Sequence, residues 1–212
     1  MTGASDSETR FRALDYPSFQ AIAPDLERAT VDRARTGDQQ ALADIYDWYM
    51  PRIYRYTVAR CGNTAEAEDL TEEVFLKMLG AISDFRWKDV PFSSWMFRIA
   101  HNVVATHFRR AAQRGGATSE IPVDMVDGKP DLAVTVEQQI TIEEVRRATS
   151  LLPEAQREVI ELRFAVGLSI ADTAKALGKR EGNVKALQHK AVGKLQKLLI
   201  PHTNGVEAIR KI

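Results

Sequence analysis

Three short stretches of this chain carry side chains suited to a polymeric partner rather than a small molecule. Between residues 179 and 197 stand six Lys or Arg and one acid, Glu181, with Asn183, Gln188 and His189 among them. Cationic side chains take phosphates, Arg also pairs with guanine, and Asn or Gln pairs with adenine. The tetrapeptide Phe85-Arg86-Trp87-Lys88 sets two aromatic rings beside two cations. Stacking surfaces and backbone cations together are what an unpaired nucleic-acid strand needs. Glu66, Glu68, Asp69, Glu72 and Glu73 crowd into eight residues with no base between them. Such a run is either a solvated helix face, favoured near a helix N-terminus, or a docking face for Arg on a partner.

Conventional catalytic chemistry finds no residues here. Cys61 is the only cysteine, which excludes an internal disulfide and a Cys-rich zinc site. His101 and His107 are six apart and fall on different helix faces, and no His-x-x-x-His pair occurs, so neither a protein-only metal site nor any cofactor is expected. A glycine-rich phosphate loop and a nucleophile elbow are also missing from the sequence. We expect a protein that is not an enzyme.

The elements that must position these residues read as helices throughout. Ser169 is suited to cap a helix on which Ile170, Ala174 and Leu177 share a face, and Gly178 suits the left-handed turn that ends it. A second helix follows, with Val184, Leu187, Ala191, Leu195 and Leu198 inward and Lys185, Gln188, His189 and Lys190 on the other side. Two helices joined this way form a helix-turn-helix, whose second helix can lie in a major groove. Upstream, Ala41, Leu42, Ile45, Tyr46 and Tyr49 share a face, and Pro51 is expected to interrupt the helix or start a new turn. Thr64 is expected to cap a helix from Ala65 to about Ser83, with Leu70, Val74, Phe75, Met78, Leu79 and Ile82 as its buried stripe. Residues 84–90 read as a loop. Pro91 opens the next helix, with Trp95, Ile99, Val103 and Val104 inward and a basic end at Arg109, Arg110 and Arg114.

The chain is 212 residues long, 44% hydrophobic and 27% charged, with a formal net charge of zero. Neutral balance gives no global attraction to nucleic acid, so binding must come from local patches. No apolar run approaches the ~20 residues of a membrane span, and residues 1–8 lack a signal-peptide core, so membrane insertion is not expected and a cytoplasmic location is. Residues 115–136 read as an acidic linker: from Gly115 to Glu144 stand seven acids and one base, Lys129. The fold class is therefore all-α, two small helical domains joined by a flexible acidic linker.

Both helical blocks, in this order, resemble bacterial sigma factors of the sigma-70 type, in the extracytoplasmic-function (ECF) group. The resemblance is carried by Ala65-Glu66-Ala67-Glu68-Asp69-Leu70-Thr71-Glu72-Glu73-Val74-Phe75-Leu76-Lys77, by Phe92-Ser93-Ser94-Trp95-Met96-Phe97-Arg98-Ile99-Ala100-His101-Asn102, by Leu152-Pro153-Glu154-Ala155-Gln156-Arg157-Glu158-Val159 and by the helix-turn-helix. It divides the chain into an extension outside the resemblance (1–29, disordered or regulatory), a region 2 bundle (30–114), the linker (115–136), region 4 (137–199) and a tail (200–212).

The resemblance implies an alternative sigma factor that binds core RNA polymerase, at the β′ clamp and the β flap, and directs promoter recognition, melting and initiation. It implies that Glu68, Asp69, Glu72, Glu73 and Phe75 dock on polymerase. Phe85, Arg86, Trp87, Lys88, Arg98, Asn102, Arg109 and Arg110 would hold the melted −10 element. Arg180, Glu181, Asn183, Val184, Lys185, Gln188, His189 and Lys190 would bind the −35 element, with Val184 counted on both the inward and the groove-facing sides and Lys190 nearer phosphate than base. An anti-sigma partner is also implied. The sequence departs from the family pattern at Glu72, where Gln is common, at Thr106, where Asp is common, and across 182–190, so promoter preference does not transfer from a relative. The alternative is a helix-turn-helix regulator with a helical sensor domain, binding duplex DNA as a dimer without polymerase.

Overall fold

A computed structural model describes residues 22–88, 90–113 and 142–199. The linker 115–136, the tail 200–212 and the residues Phe11, Leu14, Tyr16 and Phe19 of the N-terminal extension lie outside the described residues. Every regular element that is described is helical: α1 (Pro24–Ala34), α2 (Gln39–Cys61), α3 (Thr64–Ala81), a 3-10 turn (Ile82–Asp84), α4 (Phe92–Gln113), α5 (Ile142–Ser150), α6 (Glu154–Ile160), a π-helical turn (Glu161–Ala165), α7 (Ile170–Leu177) and α8 (Glu181–Leu199).

The helix ends follow local chemistry. Asp38 caps α2 by accepting from the Ala41 amide, and Gly62 closes it at φ 71°. The α3 cap is Asn63, which accepts from the Glu66 amide; Thr64 is already the first helical residue, so the cap lies one position earlier than the sequence suggested. Ser169 caps α7 by accepting from the Asp172 amide, and Gly178 ends that helix at φ 63°, both as expected. Pro51 interrupts nothing: α2 runs through it as one helix of 23 residues. The flanking side chains Tyr49 and Ile53 are fully buried, and that packing outweighs the lost amide donor.

The first bundle packs α1 and α3 on α2, with α4 closing the far side. Its core includes Val31, Ile45, Tyr49, Ile53, Tyr56, Val74, Met78, Phe92, Met96 and Phe97, all at most 1% exposed. α1 is an integral wall of this bundle, since Val31 and Ala34 belong to its core. The expected extension up to residue 29 is therefore too long: the helix begins at Pro24, and proline at the first helical position is the start signal that marks it. The second unit packs α6 and α5 on α8, and α7 beside them. Its small cores are Val159, Ala174 and Val184 on one side and Ala148, Leu152, Ile160, Ala191 and Leu195 on the other.

The two units touch. α7 lies on α4, and the π-helical turn lies on α2. Leu162, Val166, Leu168 and Ala176 of the second unit join the apolar core of the first. Burying these side chains against the other unit removes apolar surface from water, which stabilises the contact.

Candidate nucleic-acid and polymerase interface

On α8 the structure separates two faces. Val184, Ala191 and Leu195 are buried, while Arg180, just before the helix, and Glu181, Asn183, Lys185, His189 and Lys190 are exposed. Val184 is fully buried against the α6 and α7 cores. It cannot reach a base edge and leaves the groove-facing set, because the seam of the helix-turn-helix takes it. Gln188 is half-buried, and its Oε1 accepts from Arg163 Nε at 3.0 Å. It can approach DNA only by exchanging or extending that bond.

On α3 the acids divide likewise. Glu68, Asp69 and Glu72 are exposed; Glu73 pairs with Lys77 at 2.7 Å, one helical turn on. Glu66 faces His107 of α4 at 2.7 Å and so serves the bundle. Phe75 is buried, its ring 4.7 Å from that of Tyr46, and is a core residue rather than a docking one. Leu79, expected inside, is 49% exposed, and Leu76 is 68% exposed. Sequence reading missed both as surface residues. The eight-residue acidic run followed by Leu76 was the available signal, because a leucine one turn after Glu72 must share its face.

The loop between α3 and α4 is tightly built. Phe85 is 3% exposed, and its ring lies 5.1–5.3 Å from those of Trp87, Phe92 and Trp95. That aromatic cluster packs the loop into the bundle core, so Phe85 is not a stacking platform for DNA. Arg86 donates to the carbonyls of Ser83 and Phe85, at 2.8 and 2.9 Å. The Val90 amide donates to the Trp87 carbonyl at 3.0 Å and tightens the turn. Trp87 is half-buried; Arg86 and Lys88 are exposed. On α4, Arg98, Asn102, Arg109 and Arg110 are exposed on one side of the helix.

This side of α4 is also where the second unit sits. Arg98 Nε donates to the Lys175 carbonyl at 3.2 Å, at the C-terminal end of α7, and Ser94 Oγ to Asp172 at 3.1 Å. His101 Nδ1 lies 3.4 Å from Glu158, and its burial lowers its pKa against the pull of Glu158. Beneath them Arg60, 3% exposed, reaches from α2 to Glu154 and, at 3.3 Å, to Glu161. Burial pushes the Glu161 carboxyl up to about 8, with Arg60 opposing; its Oε1 has no hydrogen-bond partner among the described residues. Arg52 and Arg55 donate to the carbonyls of Val166 and Ala165 at 3.5 and 3.4 Å. Sequence reading found none of these partners, which stand 57 to 114 positions apart.

Among the described residues no group of three or more His, Cys, Asp or Glu is placed to hold a metal ion, and no helix is long and apolar enough to cross a membrane. Cys61 is buried, and burial pushes its thiol up to about 12.

Comparison with known proteins gives this geometry its family. Residues 45–114 match the Sigma-70 region 2 family and residues 142–195 the Sigma-70 region 4 family. The ECF RNA polymerase sigma factor BldN of Streptomyces coelicolor is 39% identical over 173 residues, covering 80% of this chain and 64% of BldN, so the chain spans less than two thirds of that relative's length. ShbA of Streptomyces griseus, also an ECF RNA polymerase sigma factor, is 32% identical over 80% of this chain and 93% of its own. The solved structure of CnrH in complex with the cytosolic domain of CnrY is similar in fold, with a TM-score of 0.62 at 24% identity over 82% of this chain and 96% of that one. The alternative of a dimeric helix-turn-helix regulator is not favoured, since both matched blocks are sigma regions. With both regions matched in order, and a relative covered over nearly its whole length, the chain belongs to the ECF group of sigma-70-type RNA polymerase sigma factors.

Proposed function

We propose that this ECF sigma factor docks on core polymerase through the outer face of α3, reads the −35 duplex with α8 and holds the melted −10 strand with α4 and the loop before it. The observation that carries the reading is the composition of the outer faces. α3 shows water Glu68, Asp69 and Glu72 beside Leu76 and Leu79, an acidic and apolar surface that suits a basic, partly apolar partner helix. α8 shows water a basic and amide-bearing one. The corresponding surfaces on polymerase are the β′ clamp for α3 and the β flap for the second unit. The promoter supplies the catalyst's address, while polymerase itself does the bond chemistry.

The packed arrangement of the two units is a resting state in this reading. The −10 and −35 elements lie about 25 base pairs apart, about 85 Å along B-DNA at 3.4 Å per pair. α4 and α7 touch, so both readers cannot occupy their elements until the units part. Binding to polymerase supplies the differential affinity that an opened form needs. An anti-sigma factor, the kind of partner expected for this group, would act by covering the α3 face or by holding the units together. Pull-down of core polymerase tests the docking: Asp69→Lys with Glu72→Lys is expected to weaken binding by about tenfold or more, two charge reversals at an interface rim or core. Unchanged affinity would remove α3 from the interface.

A further inference from the structure

The described part of the chain begins well before residue 45, where the match to region 2 starts. Within that leading stretch α1 makes one contact with a consequence for DNA. Asp32 Oδ1 accepts from the indole Nε1 of Trp87 at 3.0 Å. The Arg28 guanidinium, one helical turn earlier, sits 5.1 Å from the centre of the Trp87 ring. Arg35 holds the same Asp32 oxygen from the other direction at 3.1 Å. The Trp87 indole is therefore fixed on three sides: by Phe85 edge-on within the loop, by Arg28 over its ring and by Asp32 at its only polar atom.

We infer that α1 is a structural wall of the single-strand pocket, and that Asp32 and Arg28 are positioning residues that orient Trp87 for an unpaired −10 base. This rests on the reading of the 85–91 loop and α4 as the −10 reader. Extruding a base from the stack is costly, and a pocket that must order itself at the same moment adds to that cost. Trp87 lies in a seven-residue connection and cannot be rigid by its own backbone. Its indole N–H has a single bond to give, and Asp32 takes it. That hydrogen bond is also the main reason the Asp32 carboxyl lies below its ordinary pKa; burial opposes it, and Arg35 and then Arg28 add to the lowering.

The test uses holoenzyme assembled from core polymerase and the full chain, on a promoter that wild-type holoenzyme selects from a randomised library. Open-complex formation is read by permanganate reactivity of −10 thymines, and core affinity is measured in parallel. Asp32→Leu, which removes the acceptor, is expected to lower opening by about tenfold with core affinity kept, the size of one hydrogen bond to a charged group. Asp32→Asn keeps an acceptor oxygen and is expected to rescue most of the loss. Arg28→Ala, at an exposed residue outside the apolar core, is expected to lower opening less. In a Trp87→Phe background, which has no donor, Asp32→Leu is expected to add nothing. If Trp87→Ala impairs opening and Asp32→Leu does not, the inference falls and the loop reading stands. If Trp87→Ala leaves opening intact, the loop reading falls and takes the inference with it. Equal loss of opening and of core affinity in Asp32→Leu, or no rescue by Asn, makes Asp32 a fold residue only and overturns the proposal.

Discussion

Single residues in this chain hold one of three commitments, to a cap, to the core or to water, and the commitment decides what each can do. Ser169 is a cap: its Oγ accepts from the Asp172 amide at 3.0 Å. Ser169→Ala is expected to cost about 1 kcal/mol of stability, readable as a lower urea midpoint with an unchanged slope. Cys61 is a core residue with its thiol raised by burial. At pH 8 the native protein is expected to react with a disulfide reagent at least about a hundredfold more slowly than the urea-unfolded chain, where an ordinary thiol is partly ionised. Labelling at the unfolded rate would place Cys61 at the surface. Phe75, Phe85 and Val184 show why single residues are the hardest to assign from sequence. Each lies next to exposed side chains proposed to bind polymerase or DNA, and only the angular position on a helix, or the tuck of a loop, separates core from the proposed interface. An apolar side chain beside a binding face is claimed by the core when space allows, because burial there needs no partner.

Helices were more legible than residues. The 3.6-residue spacing of apolar side chains, the Ser169 and Gly178 punctuation and the run of α3 acids are all local signals, and the observed helices follow them. The misplacements are local too. Tyr49 and Ile53 pack so well that Pro51 is carried within one helix, and Leu79 turns outward because the apolar stripe of α3 is narrower than the sequence suggested. At this scale the account expects specificity from α8. Lys185 is exposed at the middle of the basic face. Lys185→Ala should weaken binding to duplex carrying the −35 element by about 1–3 kcal/mol if it reads a base, or lower the salt dependence by about one phosphate if it does not. A titration series at several salt concentrations separates the two, and no change in either removes Lys185 from the interface. Leu162→Ala, in the π-helical turn and fully buried in the core shared between units, is expected to cost about 2–5 kcal/mol. Retention of the wild-type midpoint would show that this turn contributes no packing.

At the scale of the whole molecule, the sequence revealed two blocks and their order but not their contact. No local pattern says that Arg60 will meet Glu161 or that Ser94 will meet Asp172, because such pairs depend on how the units dock rather than on how either folds. The buried Arg60–Glu161 pair resists easy interpretation as a stabiliser, since desolvation opposes much of its attraction. Its clearer effect is orientation: an arginine almost without water contact needs its carboxylates in place. Opening is expected to be visible as a loss of energy transfer between dyes on cysteines introduced at the exposed positions Asp47 and Lys197, one in each unit. Transfer should be high in the free chain and fall when core polymerase is added. Buried Cys61 leaves the two sites selectively labelled. Equal transfer in both states would mean that the units move as one body and that the resting-state reading is wrong.

The central claim is that this chain brings core polymerase to promoters by using two separate readers. Run-off transcription with core polymerase freed of its own sigma factor measures it most directly, on a template selected by the holoenzyme from random sequence. The account predicts a transcript with one discrete start that disappears when either the −10 or the −35 element is scrambled. A chain that neither associates with core polymerase nor yields such a transcript, or one whose transcript survives loss of the upstream element unchanged, would contradict it.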